Sequence, residues 1–474
     1  MFEVHPLAIE LGRLFKEKGY ELALVGGSVR DLFLKRPCSD LDFTTNASPD
    51  EIFALCKNWF DDIWDIGKDF GTIGGRKLYA NSDIQLEITT YRTDEYDPSS
   101  RKPLVKFGKN LEGDLSRRDF TINAMALRLP ELELVDPFSG LTDLNKSLLR
   151  TPIEPEKSFD DDPLRMLRAV RFHSTLKFTI EVETAAAIML MKDRLSIISA
   201  ERIRDEFNKI ITGPNPTLGI NALVDSGLNE YIIPELEDLK MQTDASHHHK
   251  DVFEHSLKVL ENSIKYENRF KKADENTSPD LILRLAALLH DIGKPKTRRF
   301  SNTGAVTFYG HDVVGASIAK KRLKKLHYDK KVVQTVGKLI ELHMRFYGYL
   351  DSGWTDSAVR RFTNDAGDAL NHLLIVTRSD VTTKNKRKSN ILSAACDDLE
   401  RRIHSLKEQE ELDKIRPGLN GFEIMQILGL NSTPQDGPKT GKAYKFLLNY
   451  RLEHGVVEKD ELAIILKEWA KENL

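Results

Sequence analysis

Asp40-Leu41-Asp42 sets two carboxylates on alternate residues. On a strand, positions i and i+2 point to one side, so both acids share a face while Leu41 and Phe43 take the other. Like charges this close repel each other unless a cation lies between them. Hard divalent ions such as Mg²⁺ take oxygen ligands and bring substrate phosphates with them. Just upstream, Val25-Gly26-Gly27-Ser28-Val29-Arg30-Asp31 runs from an apolar stretch through a glycine pair into a helical pattern. Glycines allow close backbone approach, a helix start offers free N–H groups to an anion, and Arg30 adds a fork for phosphate oxygens.

Two further groups carry chemistry. Arg117-Arg118-Asp119 follows Asp114-Leu115-Ser116 and could clamp a triphosphate and position a ribose. In the run Phe159 to Phe172, Asp162, Arg165, Arg168 and Arg171 recur every three residues, with Leu164, Leu167 and Val170 beside them. On one helix these four form a single slowly rotating stripe. Three cations so aligned destabilise a helix unless anions neutralise them, and a nucleoside triphosphate is such an anion. Farther on come His255, the adjacent pair His290-Asp291, then His311, His343 and Asp380. Imidazole and carboxylate together suit a divalent transition metal or Mg²⁺.

The elements that position these groups follow from pattern. Residues 5–18 read as an amphipathic helix, Leu22 to Val25 as a strand and Val29 to Leu34 as a helix; Leu41 to Thr44 is again a strand. Ser48-Pro49-Asp50-Glu51 starts a helix with Ser48 as N-cap. Strands are expected at 73–79 and 83–91, and a long loop over 92–115. After Pro152 the period is helical, and no convincing strand is expected beyond the first third of the chain. Lys384, Lys386, Arg387 and Lys388 form a compact basic run, a candidate RNA contact; His247-His248-His249 reads as a surface turn.

The stretches LVGGSVRD, SDLDFTT, DLSRRDFTINAMAL, DDPLRMLRAVRF and AERIRDEF, with IRPGLNGFEIMQILGL and GKAYKFLLNY in the tail, resemble the class II tRNA nucleotidyltransferases, the CCA-adding enzymes. The glycine turn and Asp-x-Asp pair alone are similar to the wider superfamily that includes DNA polymerase β. The resemblance implies an α+β chain. A polymerase-β-like nucleotidyltransferase head with a mixed sheet (1–150) precedes an all-helical neck (151–220), a body (221–400) and a tail (401–474). It implies that Asp40 and Asp42 bind Mg²⁺, with Glu87 as the best-placed third carboxylate. Gly26, Gly27, Arg30, Arg118, Arg168 and Arg171 would hold the triphosphate and ribose. Asp162 and Arg165 would read the Watson–Crick edge of CTP or ATP, and Asp161 stands where the family has Glu. The implied reaction adds C, C and A to tRNA 3′ ends from CTP and ATP with release of pyrophosphate. Poly(A) polymerase and partial CC- or A-adding enzymes are alternatives on the same fold.

The histidine pattern resembles the HD metal-dependent phosphohydrolases. It implies a metal site of His255, His290, Asp291 and Asp380, for Mg, Mn, Co or Ni, with His311 and His343 completing a second site or holding a phosphate. The implied alternatives are hydrolysis at RNA ends and a structural, tRNA-binding role. Composition narrows the rest. Across 474 residues, 70 basic and 73 acidic side chains leave a net charge of −3, so a nucleic-acid surface must be a local patch. Three scattered cysteines exclude a disulfide framework. No apolar run approaches about 20 residues, and no signal pattern opens the chain, so a cytoplasmic protein is expected.

Overall fold

Four buried apolar residues in a row, Leu22–Val25, leave no polar face for solvent, so this strand belongs inside a sheet. The computed structural model describes residues 4–37, 40–65, 71–95, 104–107, 110–241, 251–272, 277, 279–302, 306–383, 385–410 and 416–474. It divides into two compact units, Met1–Pro234 and Glu235–Leu474.

In the first unit the strands are β1 Leu22–Val25, β2 Asp40–Thr45, β3 Asp62–Trp64, β4 Thr72–Tyr79, β5 Ser82–Thr90, β6 Arg92–Glu95, β7 Leu104–Phe107, β8 Ala126–Leu129, β9 Glu133–Val135, β10 Leu148–Leu149 and β11 Thr179–Ile180. Seven form one sheet in the order β3-β4-β5-β2-β1-β8-β9, with β1 near its centre. Within this sheet, among the described residues, only β2 and β5 pair in parallel, and this register sets Asp42 beside Glu87. The helix Pro6–Glu17 packs on β1 and β8, and Gly27–Phe33 packs on β1 and β2. The helix Pro49–Cys56 starts in a capping box: the Ser48 side chain accepts from the Glu51 N–H and the Glu51 side chain accepts from the Ser48 N–H. The expected mixed sheet is present, followed by the helices Pro155–Asp161, Leu164–Leu176, Val182–Met191, Ala200–Ile211 and Pro216–Asp225.

Three expectations need correction. Residues 92–115 are not one loop: β6 and β7 form an antiparallel ribbon, and Leu111–Ser116 is a helix capped by Asn110. The ribbon is held by backbone pairing and shows no apolar period. Short strands also occur late, in β10–β11 and in a second hairpin, β12 Arg299–Phe300 with β13 Val306–Thr307. Finally, Asp162 is not on the arginine helix. It is extended (φ −144°, ψ 97°) between two helices because Pro163 follows it and disfavours helical backbone there.

Among the described residues the second unit is helical apart from that hairpin. The helices Val252–Tyr266, Leu281–Leu289, His311–Lys325, Lys330–Leu342 and Leu370–Ser379 pack around a core containing Leu285, Leu288, Val336, Ile340 and Leu373. The tail helices Gly421–Leu428, Gly437–His454 and Lys459–Asn473 bury Ile424, Leu447 and Leu466 together, and Phe446 stacks on Trp469 at 4.7 Å. Among the described residues no helix is long and apolar enough to cross a membrane.

Within the body, Arg284 and Glu267 form a buried bidentate pair, with Nε to Oε1 and Nη2 to Oε2 both 3.0 Å. Removing one member strands the other's charge in the core. Glu267→Ala should therefore cost about 3–5 kcal/mol. Amide exchange should accelerate in the helices Val252–Tyr266 and Leu281–Leu289, with Gly27–Phe33 unaffected; unchanged protection would show that the pair contributes nothing.

Candidate nucleotide and metal sites

A cavity of about 420 Å³ in the first unit is lined by Gly26, Gly27, Arg30, Asp42, Arg117, Arg118, Asp119, Asn123, Asp162, Arg165, Arg168, Arg171 and Phe172. Six arginines thus face three carboxylates, a surplus of positive charge matched to a polyanion. Gly26 takes φ +67°, a left-handed conformation that side chains resist, and a Cβ there would lie 2.9 Å from Arg118 Nη1. Buried Ser28 ties the glycine turn to β2: its hydroxyl donates to Asp40 O (3.0 Å) and accepts from Asp42 N (3.1 Å). Burial pushes the Asp42 carboxyl up from its ordinary pKa, and the charges of Glu87 and Asp40 add to this while Arg118 opposes it. An oxygen donor set under such repulsion fits a divalent cation. Asp40 and Glu87 flank Asp42 on the sheet and do not line the cavity.

Five of these guanidinia, those of Arg30, Arg118, Arg165, Arg168 and Arg171, are held from behind. Arg168 binds Asp119 Oδ2 through Nε (2.8 Å) and Nη2 (2.5 Å), and Asp119 Oδ1 accepts from Asn123 Nδ2 (2.9 Å). Asn123 Oδ1 in turn accepts from Arg30 Nη1 (2.8 Å). Burial alone would raise Asp119, but Arg168 and Asn123 hold it at about 2. Arg171 pairs with Glu206 (2.7 Å), Arg118 with Asp114 (3.2 Å), and Arg165 donates to Ser158 and to the Arg117 carbonyl. The arginine stripe is therefore compensated by protein groups and does not need a ligand's charge to be stable. The Phe172 ring lies under Arg171 (4.2 Å), Arg30 (5.2 Å) and Arg168 (5.8 Å). Asp162 contacts Arg202 at 3.3 Å and accepts from Leu164 N. Sequence reasoning assigned no role to Ser28, Asn123, Phe172 or Arg202, although each stands within a quoted motif, and it named Asp119 only as part of the Arg117-Arg118-Asp119 cluster.

In the second unit His255, Asp291, His311, His343 and Asp380 line a cavity of about 800 Å³, and buried His290 adjoins His255 and Asp380. His290, His311 and His343 direct Nδ1 at the carbonyls of Ala287 (2.9 Å), Phe308 (2.8 Å) and Ile340 (2.6 Å), each three residues back. His255 Nδ1 meets Thr382 Oγ1 at 3.0 Å. Donation from Nδ1 to a carbonyl leaves the Nε2 lone pair free to ligate a metal. The ligand atoms fall into two groups, His255–His290–Asp380 and Asp291–His311–His343. Asp291 faces both: Oδ2 lies 3.2 Å from His290 and 3.4 Å from His255, and Oδ1 lies 3.3 Å from His311 and 3.9 Å from His343. Buried Nε2 of His311 and of His343 has no hydrogen-bond partner, the mark of a metal-ligating set. Burial, with the neighbouring His290, lowers His343 to about 4, so it is neutral at physiological pH. The four expected ligands thus come together, joined by His311 and His343.

Lys386, Arg387 and Lys388 are exposed at the start of the helix Lys386–Glu410, and Lys388 lines this second cavity. Lys384 and His247-His248-His249 lie outside the described residues.

Family models match three segments: the poly A polymerase head domain over residues 22–150, a "probable RNA and SrmB- binding site of polymerase A" over 177–240, and the HD domain over 252–385. An A-adding tRNA nucleotidyltransferase of Deinococcus radiodurans is 35% identical over 461 residues, covering 95% of this chain and 96% of that protein. A CCA-adding enzyme of Lactobacillus gasseri is 44% identical over 231 residues, which is 48% of this chain and 56% of that enzyme. The match to this second relative therefore spans little more than half its length. Among solved structures, the Bacillus stearothermophilus CCA-adding enzyme in complex with CTP matches 98% of this chain and 97% of that one (TM-score 0.68, 24% identity). The Thermotoga maritima CCA-adding enzyme complexed with tRNA matches 98% and 96% (TM-score 0.60, 18% identity). At these identities the likeness is one of fold.

Gly293 is the contact that brings His311 to Asp291. A Cβ at this position would lie 2.1 Å from His311 O and 2.6 Å from Gly315 N, which are backbone atoms that cannot swing aside. Gly293→Ala should push the helix His311–Lys325 away and release metal from the Asp291–His311–His343 group. Elemental analysis of the purified protein should find less bound metal at unchanged helical content; wild-type metal content would refute this packing role.

Proposed function

The chain belongs to the tRNA nucleotidyltransferase family, and from that premise we propose that its first unit adds C, C and A to the 3′ end of tRNA from CTP and ATP. The observation that carries this is the shared cavity: a sheet carboxylate, a glycine turn, six arginines and the Asp162–Arg165 pair all line it. The glycine turn with Arg30, Arg118, Arg168 and Arg171 binds the triphosphate and ribose. Asp40 and Asp42, with Glu87 alongside, hold Mg²⁺, which when bound activates the attacking hydroxyl and stabilises the departing pyrophosphate. Asp162 accepts from the exocyclic amine of cytosine or adenine, and Arg165, fixed by Ser158, donates to ring acceptors. Uracil and guanine offer the opposite pattern at that edge, leave these groups unpaired and are rejected. In this reading residues 1–150 are the catalytic head, 151–220 the base-reading neck, 221–400 the metal-binding body and 401–474 a tRNA-binding tail.

A second reading, addition of the terminal A alone, is favoured by one observation: the relative matched from end to end is A-adding. Sequencing products made from tRNA without its terminus and from tRNA ending in CC decides between them. Incorporated C supports the first reading, and A on the CC substrate alone supports the second. Asp42→Ala should abolish incorporation of every nucleotide. Asp162→Ala should relax selection against UTP and GTP by about tenfold to a hundredfold, since one buried polar mismatch is worth about 1–3 kcal/mol. Competition among the four triphosphates measures this. A uniform loss with selectivity intact would reduce Asp162 to a triphosphate contact.

For the body we propose a two-metal phosphohydrolase centre held by His255, His290, Asp291, His311, His343 and Asp380. Bound divalent metal, Mg, Mn, Co or Ni, supplies a nucleophilic water and a clamp for phosphoryl oxygens. Thr382 orients His255, and Tyr347 donates to Asp380 Oδ2 at 2.8 Å. Hydrolysis of bis-p-nitrophenyl phosphate should require metal and vanish in His290→Ala. If no metal supports turnover, the centre is structural.

A further inference from the structure

None of the residues lining the nucleotide cavity comes from the helix Ala200–Ile211, yet two side chains of that helix reach residues that do. The helix packs along Leu164–Leu176 and starts at Ser199, whose hydroxyl accepts from Arg202 N at 3.4 Å. Arg202 and Glu206 stand four residues apart and so share one helix face, a turn from each other. Glu206 takes Arg171 at 2.7 Å. Arg202 Nη2 lies 3.3 Å from Asp162 Oδ2 and 3.5 Å from Oδ1. One helix therefore grips the base-facing and the phosphate-facing ends of the cavity's charged row from behind.

Asp162 stands on extended backbone between two helices, outside the helical packing that fixes side chains such as Arg165. Locally its carboxylate is tethered by Leu164 N, which donates to Oδ1 at 3.2 Å. A single N–H leaves a carboxylate free to pivot about that bond. A guanidinium nitrogen shared between both oxygens fixes its plane. Direction matters here because rejection depends on it. A fixed carboxylate accepts from the exocyclic amine of cytosine or adenine and repels O4 of uracil and O6 of guanine; one that turns aside loses the repulsion together with the bond. We propose that Arg202 is a positioning residue that aims Asp162 at the base edge, so that rejection of UTP and GTP depends on a side chain outside the cavity. This rests on the base-reading role of Asp162 and names the residue that sets it.

The test is competition among the four triphosphates with the full chain, on tRNA without its terminus and on tRNA ending in CC. Arg202→Ala should relax selection against UTP and GTP by about twofold to fivefold, the range of a half-exposed charge pair. Arg202→Glu, which repels Asp162, should relax it further, and Arg202→Lys, which keeps the charge, should recover part of the selectivity. Glu206→Gln, on the same helix face but behind Arg171, should weaken all four nucleotides alike. In an Asp162→Ala background Arg202→Ala should add no further loss of selectivity, because the group it positions is gone. Unchanged selection in Arg202→Ala and Arg202→Glu, or an equal loss with and without Asp162, overturns the proposal and leaves the base-reading role of Asp162 standing. Relaxed selection in Glu206→Gln to the same extent overturns it too, since the effect would then belong to the helix and not to Arg202. Asp162→Ala with selectivity intact removes the base-reading role itself, and this proposal with it.

Discussion

A part-buried relay of hydrogen bonds, Arg168 to Asp119 to Asn123 to Arg30, ties the helix Leu164–Leu176 to the helix Gly27–Phe33 that follows the glycine turn. The placement of two of the guanidinia that line the first cavity depends on it. Removed from water, the Asp119 carboxylate is tolerable only because Arg168 and Asn123 occupy its oxygens. The same bonds orient Arg168 and Arg30, and Asp31 fixes Arg30 further by accepting from its Nε and Nη2. These guanidinia are thus positioned by protein groups alone.

The body solves a comparable problem with a different device. Three of its histidines use Nδ1 to satisfy a carbonyl three residues back, so local backbone fixes the rings and their Nε2 atoms meet in the centre. Asp291 then serves two groups at once, one oxygen toward each. In both units, ionisable side chains are fixed from behind by neighbouring protein groups, leaving specific atoms to face the cavity. Charge that would be costly in a buried site is balanced by carboxylates in the first unit, and in the second Asp291 and Asp380 lie among imidazoles with Lys294 on Asp291.

The geometry also separates stability from function in the arginine stripe. A row of cations would be unfavourable on an isolated helix, yet Glu206 and Asp119 neutralise Arg171 and Arg168, and Ser158 engages Arg165. Arg30 and Arg118 are likewise paired, with Asp31 and Asp114, and it is the convergence of these elements with Arg117 and that stripe that lines one cavity with six guanidinia.

The chemistry of both centres was legible in the chain itself. Strand alternation placed Asp40 and Asp42 on one face, the glycine pair marked the turn, and the His-Asp adjacency marked the second centre. These are local signals, fixed by backbone periods of two and about 3.6 residues and by what glycine alone tolerates. The β6–β7 ribbon escaped because Arg92-Thr93-Asp94-Glu95 carries no apolar alternation, and Asp162 was set on the wrong element because period was weighed above the proline that follows it. Tertiary structure alone decided the rest. It made Asp119 and Asn123 the link between neck and turn, divided the histidines into two groups around Asp291, pressed Gly293 against the His311 helix and brought Lys388 to the metal cavity. Those partners are distant in the chain, and their meeting is dictated by how buried faces pack, for which the order of residues holds no short-range record.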